Sequence, residues 1–173
     1  RSMQETIFNN DSPLTLLAID AVRDFQRTVS SVPAPGLGGS IGRLNSVRST
    51  IIHIINQLDS VITIISETEQ SAHLDEQLET SNFDKLTTLL NFYSEKTITL
   101  CKKITNTDLT QPIQISDLSI IPSQYNGASC EQLFAWTAAH LFTHTGEIAT
   151  IAFLMGAKDI KLPGEMRASL QKS

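Results

Sequence analysis

Hydrophobic residues recur at helical spacing in the first half of the chain, in two stretches that begin at helix-start signals. The first stretch begins at Ser12-Pro13, an N-cap followed by proline at the first helical position. Its apolar stripe consists of Leu14, Leu17, Ala21, Val22, Phe25 and Val29. The second begins after Ser40, and its stripe consists of Leu44, Val47, Ile51, Ile55, Leu58, Ile62 and Ile65. This spacing predicts helices over residues 13–30 and 41–67.

The second half of the chain contains two further helical stretches. Ser81 with Asp84 opens the third. Its apolar side consists of Phe83, Leu86, Leu90, Tyr93, Leu100 and Ile104. Ser129 and Gln132 form a capping box for the fourth, and Gly156 ends it. We therefore predict helices over residues 82–104 and 130–155.

Four amphipathic helices in a chain of 173 residues predict an all-α fold, a single four-helix bundle. We interpret Arg1-Ser2, which precede Met3, as a cloning remnant, and expect one domain over residues 3–173. The connection over residues 68–80 is polar and acidic, and it spans the bundle only when nearly straight. The connection over residues 105–128 has an alternating sequence at 112–115. This alternation predicts a short extended segment, in either a lid or a loop with its own packing.

Composition narrows the choice of partners and compartment. The net charge of −5 and the absence of any basic run argue against nucleic-acid binding. The apolar runs are only a few residues long, so we expect no membrane span. Cys101 and Cys130 have no metal-type spacing and are too few for a disulfide framework. We therefore expect reduced thiols in a cytoplasmic protein.

Two histidines in the fourth helix are candidates for a metal site. His140 and His144 are four residues apart, so a helix places both imidazoles on one face. The other residues of that face are mostly apolar and turn inward: Leu133, Trp136, Glu147, Ile151 and Leu154. A third imidazole from a facing helix would complete a site with an open coordination position, as catalytic metals have. Two core histidines held by hydrogen bonds would produce the same spacing.

His53 in the second helix is the candidate for that third imidazole. It lies roughly 200° around the helix from the apolar stripe, on a face that is rich in serine, threonine and amide side chains. Two interpretations follow: an exposed histidine on a solvated face, or a ligand in a wet pocket at the same depth as the other pair. Periodicity alone favours the exposed histidine.

Three motifs resemble those of the DinB-like (DinB/YfiT-type) family. The first is Ser46-Val47-Arg48-Ser49-Thr50-Ile51-Ile52-His53-Ile54 in the second helix. The second is His140-x-x-x-His144-x-Gly146-x-Ile148 with the exit at Gly156, and the third is the turn over residues 100–112. The resemblance implies an up-down-down-up bundle with its crossover between helices 2 and 3. It also implies a divalent metal held by His53, His140 and His144.

The resemblance also implies a class of chemistry. A metal on three imidazoles activates water or a low-molecular-weight thiol. Relatives in the wider superfamily include thiol-dependent transferases, so the resemblance implies a thiol S-transferase first and metal-assisted hydrolysis second. Imidazole ligands suit zinc, nickel and iron alike. Glu147 stands where the family usually has glutamine, and is a candidate catalytic proton acceptor, a fourth ligand or a hydrogen-bonding partner of a ligand. The alternative is a non-catalytic helical dimerisation protein with a vestigial or incidental metal site.

Helices 1 and 2 have more apolar positions than one narrow stripe requires. The surplus residues are Leu16 and Ile19 in helix 1 and Ile52 and Ile54 in helix 2. Together with the resemblance to a family whose members are often dimeric, this surplus predicts a homodimer.

Trp136 is expected in the core or in the wall of the site. Arg48 is expected at a surface or interface rather than on a substrate carboxylate.

Overall fold

The computed structural model describes residues 8–33, 38, 45–68, 74–116 and 120–157. These residues form six α-helices and no strand. The helices are α1 (Pro13–Ser30), α2 (Val47–Ser66), α3 (Leu74–Glu79), α4 (Phe83–Lys103), α5 (Asn106–Leu109) and α6 (Cys130–Leu154). A 3₁₀ turn covers Ser123–Tyr125, and Pro112 and Ser129 form an isolated antiparallel bridge. The predicted all-α class is confirmed.

Three of the four predicted helices agree with the structure to within one residue at each end. Their caps are mostly as expected, with Ser12 before α1 and the Ser129–Gln132 capping box before α6. The N-cap of α4 is Asn82 rather than Ser81, because the Asn82 side chain accepts from the Lys85 N–H.

The predicted start of the second helix at residue 41 is wrong. Residues 39–44 lie outside the described residues, as do Arg1-Ser2, and Asn45 and Ser46 are not helical. The helix begins at Val47, because the Ser46 hydroxyl accepts from the Ser49 N–H 3.1 Å away and caps the first turn. The serine of the quoted motif is therefore a helix cap.

Two short helices lie in the segments that we took for connections. In α3, Leu74 and Leu78 are four residues apart and both buried, so one apolar pair anchors a helix within the acidic segment. The extended segment predicted at residues 112–115 is confirmed, because Ile113 exchanges backbone hydrogen bonds with Gly127 and Ala128. Its buried Ile113 side chain shows that this connection has its own packing.

The long helices pack side by side around a common apolar core. Helix α1 contacts α6 and α4, and α2 contacts α4 and α6. The largest fully buried side chains include Phe25 of α1, Ile51 and Ile54 of α2, Leu86 of α4 and Leu141 of α6. Ile54, which we counted as surplus, is therefore a core residue. The exposed apolar residues of α1 are Leu16 and Leu17, with 50% and 41% of their surface accessible.

Contacts between helix ends relate the helix directions. The Asn9 N–H donates to the Lys102 carbonyl, 2.9 Å away, so the start of α1 lies beside the end of α4. The Ser12 hydroxyl lies 2.6 Å from a Glu131 carboxylate oxygen, so the starts of α1 and α6 are neighbours. Arg48, at the start of α2, donates to the Ser81 carbonyl just before α4.

Helix α2 is the only described helix that is long and apolar enough to cross a membrane by length and composition. This apolar composition was not expected from the short apolar runs of the sequence. Half of the apolar window is buried against the rest of the chain.

Candidate metal centre

Three histidines meet between α2 and α6. His140 and His144 lie one turn apart on α6, with their Nε2 atoms 2.9 Å from each other. His53 of α2 approaches from the opposite side, and its Nε2 lies 3.2 Å from that of His140. Among the described residues these three form the only cluster suited to a metal ion, with ligand atoms within 4.8 Å of one another. The interpretation of His53 as a solvated surface histidine is therefore wrong.

The polar face of α2 turns inward because the helix is buried on more than one side. Its apolar stripe packs in the core through residues such as Ile51 and Ile54. On the face that bears His53, Thr50 is 2% exposed, and Gln57 and Ser60 are fully buried. These polar side chains therefore share the buried face of His53, which meets α6, and periodicity cannot distinguish such a face from a solvated one.

Glu147 controls the orientation of one imidazole. Its Oε2 lies 2.9 Å from Nδ1 of His144, one turn before it on α6. A carboxylate can only accept, so in the neutral imidazole the proton resides on Nδ1 and Nε2 keeps its lone pair. A carboxylate behind a histidine is the usual partner of a metal-ligating imidazole. Glu147 thus acts on the cluster through His144.

The surroundings keep two of the imidazoles neutral. Burial, followed by the nearby His144 and His53, lowers the pKa of His140 to about 4. Burial and then His144 lower the pKa of His53, although the Glu147 carboxylate opposes this shift. Both imidazoles are therefore neutral at neutral pH, with lone pairs available for a cation.

The cluster fits a divalent cation. Two nitrogens bound to one ion at about 2.0–2.1 Å lie roughly 2.9–3.4 Å apart. The two Nε2 separations of 2.9 and 3.2 Å fall in this range. Lone-pair nitrogens at such distances need a proton or a cation between them, and three converging imidazoles are a donor set for zinc, nickel or iron.

Aromatic rings form one wall of the cluster. The Trp136 ring lies over His140, with 4.9 Å between ring centroids and 34° between planes. Tyr125 of the 3₁₀ turn packs against Trp136, with 5.8 Å between ring centroids and 46° between planes. Trp136 is thus in the site wall, one of the two positions that we expected for it. Sequence reasoning missed Tyr125, because no helical spacing connects it to the histidines.

Arg48 belongs to the α3–α4 turn rather than to the metal centre. Its Nη2 lies 2.7 Å from the Ser81 carbonyl oxygen, and 3.3 and 3.2 Å from those of Leu78 and Glu79. The guanidinium therefore donates to carbonyls at the end of α3 and in the turn that leads to α4. This agrees with a structural role and not with substrate binding.

Comparison with known families identifies the chain. Residues 27–170 match the model of the DinB family. The chain belongs to the DinB family. The resemblance carried by the three motifs is thereby confirmed, and the motif histidines of this DinB protein are the three that converge.

A solved structure supports the same assignment at the level of fold. A DinB-like protein from Bacillus subtilis, known from a crystal structure at 2.30 Å resolution, superimposes with a TM-score of 0.63. The match covers 86% of this chain and 96% of that chain at 14% sequence identity, so it shows a common fold alone. No curated protein sequence matches this DinB protein.

Proposed function

We propose that this DinB protein is a metal-dependent enzyme whose His53, His140 and His144 hold one divalent cation. The observation that carries the proposal is the convergence of three Nε2 atoms from two helices, with separations of 2.9 and 3.2 Å. A structural metal usually has four protein ligands, whereas three leave one coordination position open. Zinc, nickel and iron are the metals that this donor set suits.

The residues around the cluster prepare it for this role. Burial keeps His53 and His140 unprotonated, and Glu147 holds the His144 proton on Nδ1. A bound cation of this kind supplies Lewis acidity and lowers the pKa of a water or thiol in its open position. The Glu147 side chain is 32% exposed, so its carboxylate can also accept a proton from a solvent-side ligand.

The proposed substrate is a small molecule, and the leading reaction is transfer of a low-molecular-weight thiol. Hydrolysis is the second possibility because the same site would activate water. This choice rests on family membership. Trp136 and Tyr125 provide an aromatic wall beside His140, against which an apolar part of a substrate can pack.

We also propose the family's up-down-down-up four-helix bundle, in a single domain over residues 3–173. The start of α1 lies beside the start of α6 and the end of α4, and the starts of α2 and α4 are neighbours. Helices α1 and α6 then run one way, and α2 and α4 run the other. The crossover falls in residues 67–82, between α2 and α4.

The proposed molecule is a cytoplasmic homodimer that binds neither nucleic acid nor membrane. Leu16 and Leu17 are exposed side by side on α1 and supply the apolar surface for a second copy. Cys101 and Cys130 are both buried and free, which suits a reducing compartment. The net charge of −5 disfavours polyanionic partners.

Trp136 provides a direct test of metal binding, because it is the chain's single tryptophan and stacks on His140. We expect Ni²⁺ added to metal-free, untagged protein to quench its fluorescence with a stoichiometry near one per chain. Elemental analysis of the purified protein should show a matching content of bound metal. Variants His53→Ala, His140→Ala and His144→Ala should each lose both signals.

His73 supplies the matched control, since it is the one histidine of the sequence that is not a proposed ligand, and it lies outside the described residues. The variant His73→Ala should retain full metal content and quenching. A wild-type protein that folds but takes up no metal above the level of the triple-alanine variant would refute the metalloenzyme and leave a helical dimerisation protein.

The reaction requires its own assay. Metal-loaded protein is incubated with a panel of low-molecular-weight thiols and small electrophiles, and with ester and amide substrates in parallel. Metal-dependent consumption of a thiol, lost in His140→Ala, supports the transferase. Turnover of esters or amides without thiol would favour the hydrolase instead.

A further inference from the structure

Gln57 is a fully buried amide whose polar atoms have no hydrogen-bond partner among the described residues. Its exposed fraction is 0%, and both Oε1 and Nε2 are unpaired. Buried amide groups are nearly always hydrogen-bonded, because leaving them unpaired costs stability. An exception such as this one points to a partner that is absent from the protein chain or to a hydrogen bond made in another state.

Helical spacing sets Gln57 on the side of α2 that bears His53. It follows His53 by one turn on α2, so both side chains leave the same face toward α6. Because α2 and α6 run in opposite directions, one turn forward on α2 corresponds to one turn back on α6. The turn of α6 opposite Gln57 is therefore the one with Trp136 and Thr137, which precedes His140. The His140 side chain points toward this turn, because helical side chains tilt toward the N-terminus of their helix.

His140 has a buried ring nitrogen that needs a hydrogen-bond acceptor. Its Nε2 faces the cluster, while its Nδ1 is buried and has no hydrogen-bond partner among the described residues. Metal-bound histidines almost always donate the second ring N–H to an acceptor, which fixes the tautomer and the ring orientation. Glu147 fulfils this role for His144. No described residue fulfils it for His140.

We propose that Gln57 is the positioning residue of His140 and that its carboxamide Oε1 accepts the Nδ1–H hydrogen bond when a cation occupies the cluster. The bond forms directly, by rotation of the Gln57 side chain, or through one buried water. It holds the His140 proton on Nδ1 and its Nε2 lone pair toward the cation. This inference rests on the proposed metal site and adds a residue that lies on neither ligand motif.

The test compares metal affinity with apoprotein stability in two Gln57 variants. Gln57→Leu removes the acceptor but keeps the volume, so we expect Zn²⁺ affinity to fall by about 10- to 100-fold. The melting temperature of the apoprotein should remain equal or rise, because an unpaired amide has left the core. Gln57→Glu keeps an acceptor, so it should retain Zn²⁺ affinity within a few-fold while its apoprotein melts at a lower temperature.

Affinity is measured by competition with a chromophoric chelator, which does not depend on Trp136 fluorescence. The matched control is Ser94→Ala on α4, because Ser94 is also buried and its hydroxyl has no partner within the described part of the chain. It should leave Zn²⁺ affinity unchanged. A Gln57→Leu variant that binds Zn²⁺ like the wild type overturns the positioning role alone. A wild type that binds no Zn²⁺ overturns the metal site, and this inference with it.

Discussion

At the scale of single residues, the histidine cluster shows how burial sets protonation. The imidazoles of His53 and His140 are half-buried, and each lies within 5.0 Å, centroid to centroid, of two other histidine rings. A proton on one ring therefore makes a proton on the next more costly, and burial adds to this cost. His53 and His140 consequently present neutral nitrogens at neutral pH.

The lowered pKa values predict acid sensitivity of the metal-free protein. The pKa of His140 is lowered from 6.5 to about 4, so between these values the unfolded chain binds more protons than the folded one. Stability should be full above pH 6.5 and decrease as the pH falls toward 4. Urea unfolding at several pH values, with metal removed by chelator, measures the decrease. In the His140→Gln variant the free energy of unfolding should depend less on pH. Equal pH dependence in the wild type and the variant would contradict the lowered pKa of His140.

Glu147 should affect metal affinity although it does not belong to the three-histidine cluster. Glu147→Ala removes the acceptor for the His144 Nδ1–H, so Zn²⁺ affinity should fall by about 10- to 100-fold. Glu95→Ala is the control, because Glu95 is exposed on α4 and pairs with Arg23. Glu147→Gln keeps an acceptor oxygen but cannot take a proton. If it binds Zn²⁺ normally yet has no activity, Glu147 is the proton acceptor as well.

At the scale of helices, the start of α2 shows how one side chain connects two elements. Ser46 caps the first turn through the Ser49 N–H, and Arg48 reaches from that turn to the carbonyls around Ser81. Leu74 and Leu78 are the buried residues of the short α3 helix. The α3–α4 turn is therefore attached to α2 by the Arg48 guanidinium, and the two leucines anchor α3 in the core.

Arg48→Ala should destabilise the protein measurably. The substitution leaves three carbonyls without their charged donor, and the expected loss is about 1–3 kcal/mol in the free energy of unfolding. Arg23→Ala is the matched control, because its ion pair with Glu95 is exposed and contributes roughly 0–1 kcal/mol. Urea denaturation measures both. Equal losses in the two variants would show that the carbonyl contacts of Arg48 contribute nothing beyond a surface charge.

At the scale of the whole molecule, most large apolar side chains of the described residues are packed in the interior, and a few are exposed. Those on the long helices include Leu16 and Leu17 of α1, Phe92 of α4, and Phe153 and Leu154 at the end of α6. The pair on α1 is adjacent in sequence and 50% and 41% exposed, which suits contact with a second copy.

Leu16→Glu should convert the proposed dimer into a monomer. A carboxylate placed in an apolar interface must be desolvated without a partner, and a symmetric dimer would contain it twice. Light scattering at micromolar concentration should report two chains for the wild type and one for the variant. Phe92→Glu, at a 51% exposed residue on α4, should remain dimeric. A wild type with the mass of one chain would contradict the interface.

The sequence by itself determined the four long helices, apart from the start of α2, and half of the site. Helix α1 and helix α6 could be predicted from caps and spacing, because these are local interactions between residues three or four apart. The same local rule placed His140 and His144 on one face. Family motifs, rather than periodicity, identified His53 as their partner.

Only the tertiary structure decided which faces of α2 are buried and what they meet. Its polar face is internal because α6 covers it, and no property of α2 alone distinguishes that cover from water. The same holds for the contacts of Arg48 with carbonyls 30 or more residues away and for Tyr125 beside Trp136. It also holds for the Gln57 amide, which has no partner among the described residues. Each depends on which helix lies opposite, and packing between distant segments sets that arrangement.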